Sequence, residues 1–183
     1  MRDDAGARTI RGDEYARLQA GDMDGFLRGV ADGDGFRFAY ESYMMVRAYT
    51  EGLDPGLVLH RVLESLNSPS AIGFYRAVTG DERIRRAGAQ ATRYRRGHFL
   101  RQHNDEDAAK ERRFAYVINL TRDWQADWGG LLQFVDRDGR VVDSFVPRWN
   151  TLSLFEVPAD HVVSLVAPWA RQDRLSITGW WSL

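Results

Sequence analysis

Leu131-Leu132-Gln133-Phe134-Val135 and Val141-Val142, joined through Asp136-Arg137-Asp138-Gly139-Arg140, decide the fold class of this chain. Two short apolar runs flanking Asp138-Gly139 are a β-hairpin signal, because both turn residues tolerate the positive φ that a tight reversal demands. Outward from this hairpin the same grammar recurs. Ala91–Tyr94, Phe99–His103, Phe114–Thr121, Gly130–Val135, Val141–Val146, Thr151–Val157, His161–Val166 and Leu175–Trp181 are short β-type runs separated by turn chemistry. Eight such strands predict a sandwich or jelly roll.

Ahead of Gly88 the pattern is helical. Asp54-Pro55 reads as an N-cap and first-turn proline before Val58, Leu59, Val62, Leu63 and Leu66 at helical spacing, with Asn67 as the stop. Ser68-Pro69 repeats the start signal, placing Ile72, Tyr75 and Val78 on one face and ending at Gly80. A further helix is expected around Glu14 to Val30, interrupted by Gly21 and Gly25. The expected class is therefore mainly β (α+β). Residues 1–87 form a helical region packed on a core of residues 88–183, and 183 residues make one compact domain overall.

The apolar share is 44% and the aromatic share 12%, enough to bury a core. A net charge of −1 lacks the basic excess that phosphate-backbone binders use, so no nucleic-acid partner is expected. With no cysteine, thiolate metal sites, thiol nucleophiles and disulfides are excluded, and any metal must sit on nitrogen and oxygen. The charged start Met1-Arg2-Asp3-Asp4 and the lack of a long apolar run predict a soluble cytoplasmic protein without a membrane partner.

His103-Asn104-Asp105 closes the run Phe99–His103. In a strand, residues i and i+2 point the same way about 6.5–7 Å apart, so imidazole and carboxylate could reach one cation. Alone, the spacing is also that of a surface histidine beside an acidic loop. His161 heads the apolar run Val162-Val163-Ser164-Leu165-Val166, where an imidazole needs a partner: a strand-end hydrogen bond, or the second histidine of a two-His, one-carboxylate triad. Arg174, Ser176 and Thr178 alternate along the last strand. A guanidinium with a hydroxyl two residues on can clamp a dicarboxylate, although an edge-strand arginine paired with Asp173 or Asp160 fits the same text.

These pieces, in order, resemble a known family. Tyr94-x-x-Gly97-His98-Phe99-Leu100-x-x-His103-x-Asp105, Tyr116-Val117-Ile118-Asn119-Leu120-Thr121-x-Asp123-Trp124, Gly129-Gly130-Leu131-Leu132, Phe145-x-Pro147-x-x-Asn150, Leu154-Phe155, Pro158-x-x-His161 and Arg174-x-Ser176-Ile177-Thr178-Gly179-Trp180 are similar to the prolyl 4-hydroxylase-like branch of the Fe(II)/2-oxoglutarate-dependent dioxygenases. About half the chain is covered. The resemblance implies a double-stranded β-helix core, Fe(II), 2-oxoglutarate and O2, with ascorbate as a candidate reductant. It implies His103, Asp105 and His161 as iron ligands and Arg174 on the distal carboxylate of 2-oxoglutarate, with Tyr94, Ser176 and Asn119 around the cosubstrate.

Asn119 departs from the tyrosine common there, and Arg174 follows His161 at a longer interval than expected, which points to extra loop around Pro168-Trp169-Ala170. Relatives also carry more sequence ahead of the segment beginning at Phe36. Asp105 itself argues for hydroxylation over halogenation, because radical halogenases replace that carboxylate with a small residue. The implied activity is hydroxylation of an unactivated C–H, with a prolyl residue in a peptide or protein as the first candidate and a small molecule as another. Two alternatives stand beside it: a cupin-like divalent-metal enzyme that does not use 2-oxoglutarate, and a non-enzymatic jelly-roll binding module. Gly129-Gly130 reads either as a close backbone approach or as a turn needing positive φ.

Overall fold

The computed structural model describes residues 38–183, together with the short backbone stretches 2–3 and 6–7. The helix expected over residues 14–30 lies outside the described residues. In chain order the elements are β1 (Phe38–Ala39), β2 (Glu41–Tyr43), α1 (Met45–Thr50), α2 (Val58–Leu66), α3 (Pro69–Thr79), β3 (Arg86–Tyr94), β4 (Phe99–His103), β5 (Arg112–Asn119), β6 (Leu132–Val135), β7 (Val141–Phe145), β8 (Thr151–Glu156), β9 (His161–Val163) and β10 (Arg174–Ser182). They build two five-stranded antiparallel sheets, ordered β8-β5-β10-β3-β2 and β1-β4-β9-β6-β7. This is a double-stranded β-helix, mainly β with helices added. No described helix is long and apolar enough to cross a membrane.

The helices cover the outer face of the first sheet because its central strands present apolar side chains there at every second residue. Ala87 and Ala89 of β3, Tyr116 of β5 and Ile177 and Trp181 of β10 pack with Met45, Leu63, Ile72, Tyr75 and Ile84 in one buried cluster. Tyr75 stacks on Trp181 with ring centroids 4.0 Å apart, a contact type worth about 0.5–1.5 kcal/mol beyond simple burial. Asn67, closing α2, pairs its side-chain amide with both backbone groups of Ala87, so the helix end is fastened to β3. The alternate residues of β3 and β10, Thr92, Tyr94, Arg174, Ser176 and Thr178 among them, face inward toward the second sheet.

The start of α3 follows the sequence signal: the Ser68 hydroxyl accepts from the Ala71 N–H, Pro69 occupies the first turn, and Gly80 ends the helix at φ 72°. Val78, expected on the buried face, is 52% exposed. The start of α2 differs from expectation. Asp54 adopts φ 49° and its carboxylate accepts from the Tyr43 hydroxyl, so Asp54-Pro55 shapes a turn and the helix begins only at Val58, behind an uncapped Leu57. The hairpin between β6 and β7 forms, but only Gly139 at its tip is left-handed (φ 78°). Asp138 is not, and the side chain of Asp136 accepts from the N–H groups of Asp138 and Arg140 instead.

Candidate active site

β9 lies between β4 and β6, and its ladder sets His161 directly opposite His103 on one side and Phe134 on the other. Directly opposed residues of an antiparallel pair share a face, which brings the imidazole centroids to 4.1 Å. Between the pairs His161–His103 and Val163–Leu100 the register shifts, with one residue of β9 facing two of β4. This bulge leaves Arg101 and Gln102 both exposed and returns His103 inward.

Asp105 arrives by another route than strand alternation. β4 ends at His103, and Asp105 sits past it in the left-handed region at φ 62°. The backward turn delivers its carboxylate between the histidines, Oδ1 3.5 Å from His103 Nε2 and Oδ2 3.6 Å from His161 Nε2. One ligand atom from each of the three residues lies within 4.8 Å of the other two. His103 Nδ1 is 3.0 Å from the Arg101 carbonyl and His161 Nδ1 is 2.7 Å from the Ala159 carbonyl. A carbonyl can only accept, so each Nδ1 carries the proton and each Nε2 is left as the ligand atom.

Burial pushes the His161 pKa below its ordinary value, helped by neighbouring His103 and opposed by Asp105. For Asp105, burial raises the pKa, but His103 and His161 outweigh it and the net shift is downward. Trp180 adds a smaller lowering effect, its N–H near enough to act without a hydrogen bond of good geometry. A divalent cation would bind the carboxylate and displace any proton from the Nε2 atoms that face it. Two nitrogens and one carboxylate form the facial donor set associated with non-haem Fe(II), and the residues present fit that ion.

Arg174 opens β10 opposite Tyr94, is 2% exposed, and holds its guanidinium over the Tyr94 ring at 5.1 Å. Its Nε and Nη1 are buried without a hydrogen-bond partner. Trp124, Val166 and Ala170 make the surroundings apolar. A buried cation with two unsatisfied donors is costly, and a carboxylate supplied from outside satisfies both charge and donors. The residues here fit a dicarboxylate cosubstrate. Tyr94, buried and with its phenol pKa pushed up by burial and by Tyr40, remains a neutral O–H donor beside Arg174.

Gly129-Gly130 proves to serve both roles its sequence allowed. Both residues have positive φ, and a Cβ on Gly129 would fall 1.9 Å from the Leu165 carbonyl oxygen, while one on Gly130 would meet the Val166 side chain at 3.1 Å. Ser176 and Asn119, paired across β10 and β5, are buried and are not among the residues that line the cleft. The Ser176 hydroxyl is bonded to Thr92 at 2.7 Å, and Asn119 donates to Thr151 with its own Oδ1 left unpartnered. His103, Asp105, His161, Tyr94 and Arg174 together line one cleft.

Sequence reasoning missed Arg112. Its guanidinium lies 3.6 Å from the centroid of Trp180, bonds the Asp105 carbonyl at 2.9 Å, and lines the same cleft. One arginine among many, seven residues from Asp105, carries no local signal.

This fold and side-chain set define a metal-dependent oxygenase class, and the family comparison agrees: the chain belongs to the 2OG-Fe(II) oxygenase superfamily, whose family model matches residues 89–182. Among individual proteins, it is 39% identical over 82 residues to prolyl 3-hydroxylase OGFOD1 of Xenopus laevis, covering 41% of this chain and 16% of that protein. It is 33% identical over 139 residues to prolyl 3,4-dihydroxylase OGFOD1 of Ostreococcus tauri, covering 69% of this chain and 26% of that protein. The chain thus spans between a sixth and about a quarter of the length of these curated relatives. The crystal structure of a Pseudomonas putida prolyl-4-hydroxylase shares the fold, with a TM-score of 0.54 at 21% identity, covering 94% of this chain and 88% of that one.

Proposed function

We propose that this chain hydroxylates a prolyl residue of a peptide or protein in an Fe(II)- and 2-oxoglutarate-dependent reaction. The observation that carries the reading is the convergence, in one cleft, of the three-residue donor set with a buried, unpaired Arg174. His103, Asp105 and His161 would hold the iron. Bound there, iron supplies the redox chemistry that couples oxidative decarboxylation of 2-oxoglutarate to oxygen insertion into an unactivated C–H bond.

The protein's own part is binding, orientation and exclusion. Arg174 takes the distal carboxylate, its buried guanidinium supplying the positive charge and the N–H donors. Tyr94 shields that ion pair from water with the apolar surface of Trp124, Val166 and Ala170. Nδ1–H donation to the Ala159 and Arg101 carbonyls fixes both imidazole planes before any ligand arrives. The prolyl assignment draws on the relatives' printed activities.

The test is succinate formation from 2-oxoglutarate with Fe(II), O2 and a panel of proline-containing peptides. Turnover that needs iron, is stimulated by a prolyl peptide and is lost in His103→Ala is expected. No iron-dependent binding or turnover of 2-oxoglutarate would reject the oxygenase reading. Turnover that ignores every prolyl peptide would reject the substrate class.

A further inference from the structure

Asp105 is a ligand candidate in an energetically awkward position. A non-glycine residue in the left-handed region costs on the order of 1–2 kcal/mol, and here it lies in a connection without regular hydrogen-bonded structure on either side. Something must hold it. The connection from residue 104 to 111 contains two such residues, Asp105 and Glu111, and carries a short turn between them.

Two contacts reach this connection from one side chain, which a third seats on β10. Arg112, the first residue of β5, donates from Nη1 to the Asp105 carbonyl at 2.9 Å, approaches the Asp107 carboxylate at 3.9 Å, and stacks its guanidinium on the Trp180 ring at 3.6 Å. Trp180 stands on the inward face of β10, the central strand of the first sheet, and β10 pairs with β5 through Ser182 and Arg112. The platform therefore stands on the central strand of that sheet. The bond goes to the main-chain oxygen of Asp105. A guanidinium on the carboxylate would consume the ligand atoms, whereas here Oδ1 and Oδ2 stay directed at His103 and His161.

We infer, on the metal-site reading above, that Arg112 seated on Trp180 is the positioning residue for the Asp105 ligand. It holds the left-handed turn in place so that the carboxylate meets both imidazoles without reorganisation when a metal binds. Outer contacts of this kind change metal affinity roughly 10- to 100-fold when removed. Lysine does not replace arginine here, since an ammonium cannot stack as a plane on the indole while donating along a fixed direction.

The experiment titrates the full chain with Mn(II), following unbound Mn(II) by electron paramagnetic resonance, in wild type, Arg112→Ala, Arg112→Lys and Lys110→Ala. Melting of each metal-free variant is recorded alongside. Wild type is expected to bind one Mn(II) saturably. Arg112→Ala should bind roughly 10- to 100-fold more weakly, and Arg112→Lys roughly tenfold more weakly at an unchanged folded fraction. Lys110→Ala removes an exposed ion pair to Asp107 in the same connection and should bind as wild type does. If Arg112→Ala does not fold, Arg112→Lys carries the test alone. Wild-type affinity in folded Arg112→Lys overturns the inference while leaving the metal site intact, and so does equal weakening in Lys110→Ala. Absence of Mn(II) binding by wild type overturns the metal-site reading and this inference with it.

Discussion

Arg174→Met separates a residue kept for binding from one kept for stability. In the metal-free chain Arg174 is 2% exposed, with two nitrogens that donate to nothing. Each buried unsatisfied donor costs roughly 1–3 kcal/mol of lost hydration, and the contact with Tyr94 returns about 2 kcal/mol at most. Methionine has similar length, no donors, and suits the surroundings of Trp124, Val166 and Ala170. The variant should therefore be as stable as the parent or more so, by up to about 4 kcal/mol, as when buried ion groups elsewhere give way to apolar residues. At roughly 2–4 °C per kcal/mol for a chain of this size, melting temperature should hold or rise. Binding should move the other way. Loss of two charge-assisted hydrogen bonds, about 1.5–3 kcal/mol each, weakens 2-oxoglutarate binding by on the order of 10²- to 10⁴-fold. Thermal melting with Mn(II), with and without 2-oxoglutarate, reads both effects at once. A ligand-free variant destabilised by more than about 1 kcal/mol, or one that keeps the full 2-oxoglutarate-dependent shift, refutes the reasoning.

Two further outcomes are expected. Gly129→Ala forces a Cβ to within 1.9 Å of a backbone oxygen at φ 66°, and should cost roughly 2–4 kcal/mol in chemical denaturation; a loss below about 1 kcal/mol would contradict the close approach. His161 has its pKa lowered in the fold, chiefly by burial, so below the ordinary imidazole value of about 6.5 the unfolded chain takes up a proton that the folded chain refuses. That contribution to stability is complete above about pH 6.5 and is lost as pH falls from there toward the lowered value. Melting of the metal-free chain across pH 5–8 should show this slope, to which His98, its pKa also lowered by burial, adds, and His161→Gln should reduce it. A slope of opposite sign that His161→Gln abolishes would refute the assignment.

The eight core strands were legible because each is a short apolar or alternating run closed by turn residues, and β4 falls where the text of Phe99–His103 puts it. What escaped has physical causes. β1 and β2 have two and three residues, too few for any period to register, and they form because β4 and β3 offer edges to pair with. α1 spans Met45–Thr50 without a capping side chain and exists through the packing of Met45 and Ala48. Asp54-Pro55 has the composition of a helix start, yet the Tyr43 hydroxyl claims the carboxylate that would have capped it. Within the site, the grouping of His103, Asp105 and His161 was readable and the support beneath it was not: Arg112 and Trp180 meet because β5 and β10 are neighbours, a relation of topology rather than spacing.

The pair His103-x-Asp105 illustrates how a correct pairing of residues can rest on the wrong geometry. Two-residue alternation on one strand would aim both side chains the same way, but the strand stops at His103. An uninterrupted ladder running from the His161–His103 pair would set Val163 against Arg101, whereas the bulge sets it against Leu100 and leaves both Arg101 and Gln102 outside. A one-residue slip in a sheet exchanges its two faces, so without the bulge either Leu100 or His103 would turn away from the cleft that both now line. The bulge sets where His103 points, the left-handed turn sets where Asp105 points, and the direct opposition of β9 supplies His161. Three separate backbone devices, two of them irregular and one a regular pairing, converge on a few ångströms of space. Such departures from regular structure persist where surrounding contacts over-determine them, and the Nδ1 hydrogen bonds and the Arg112 contacts are the determinants found here.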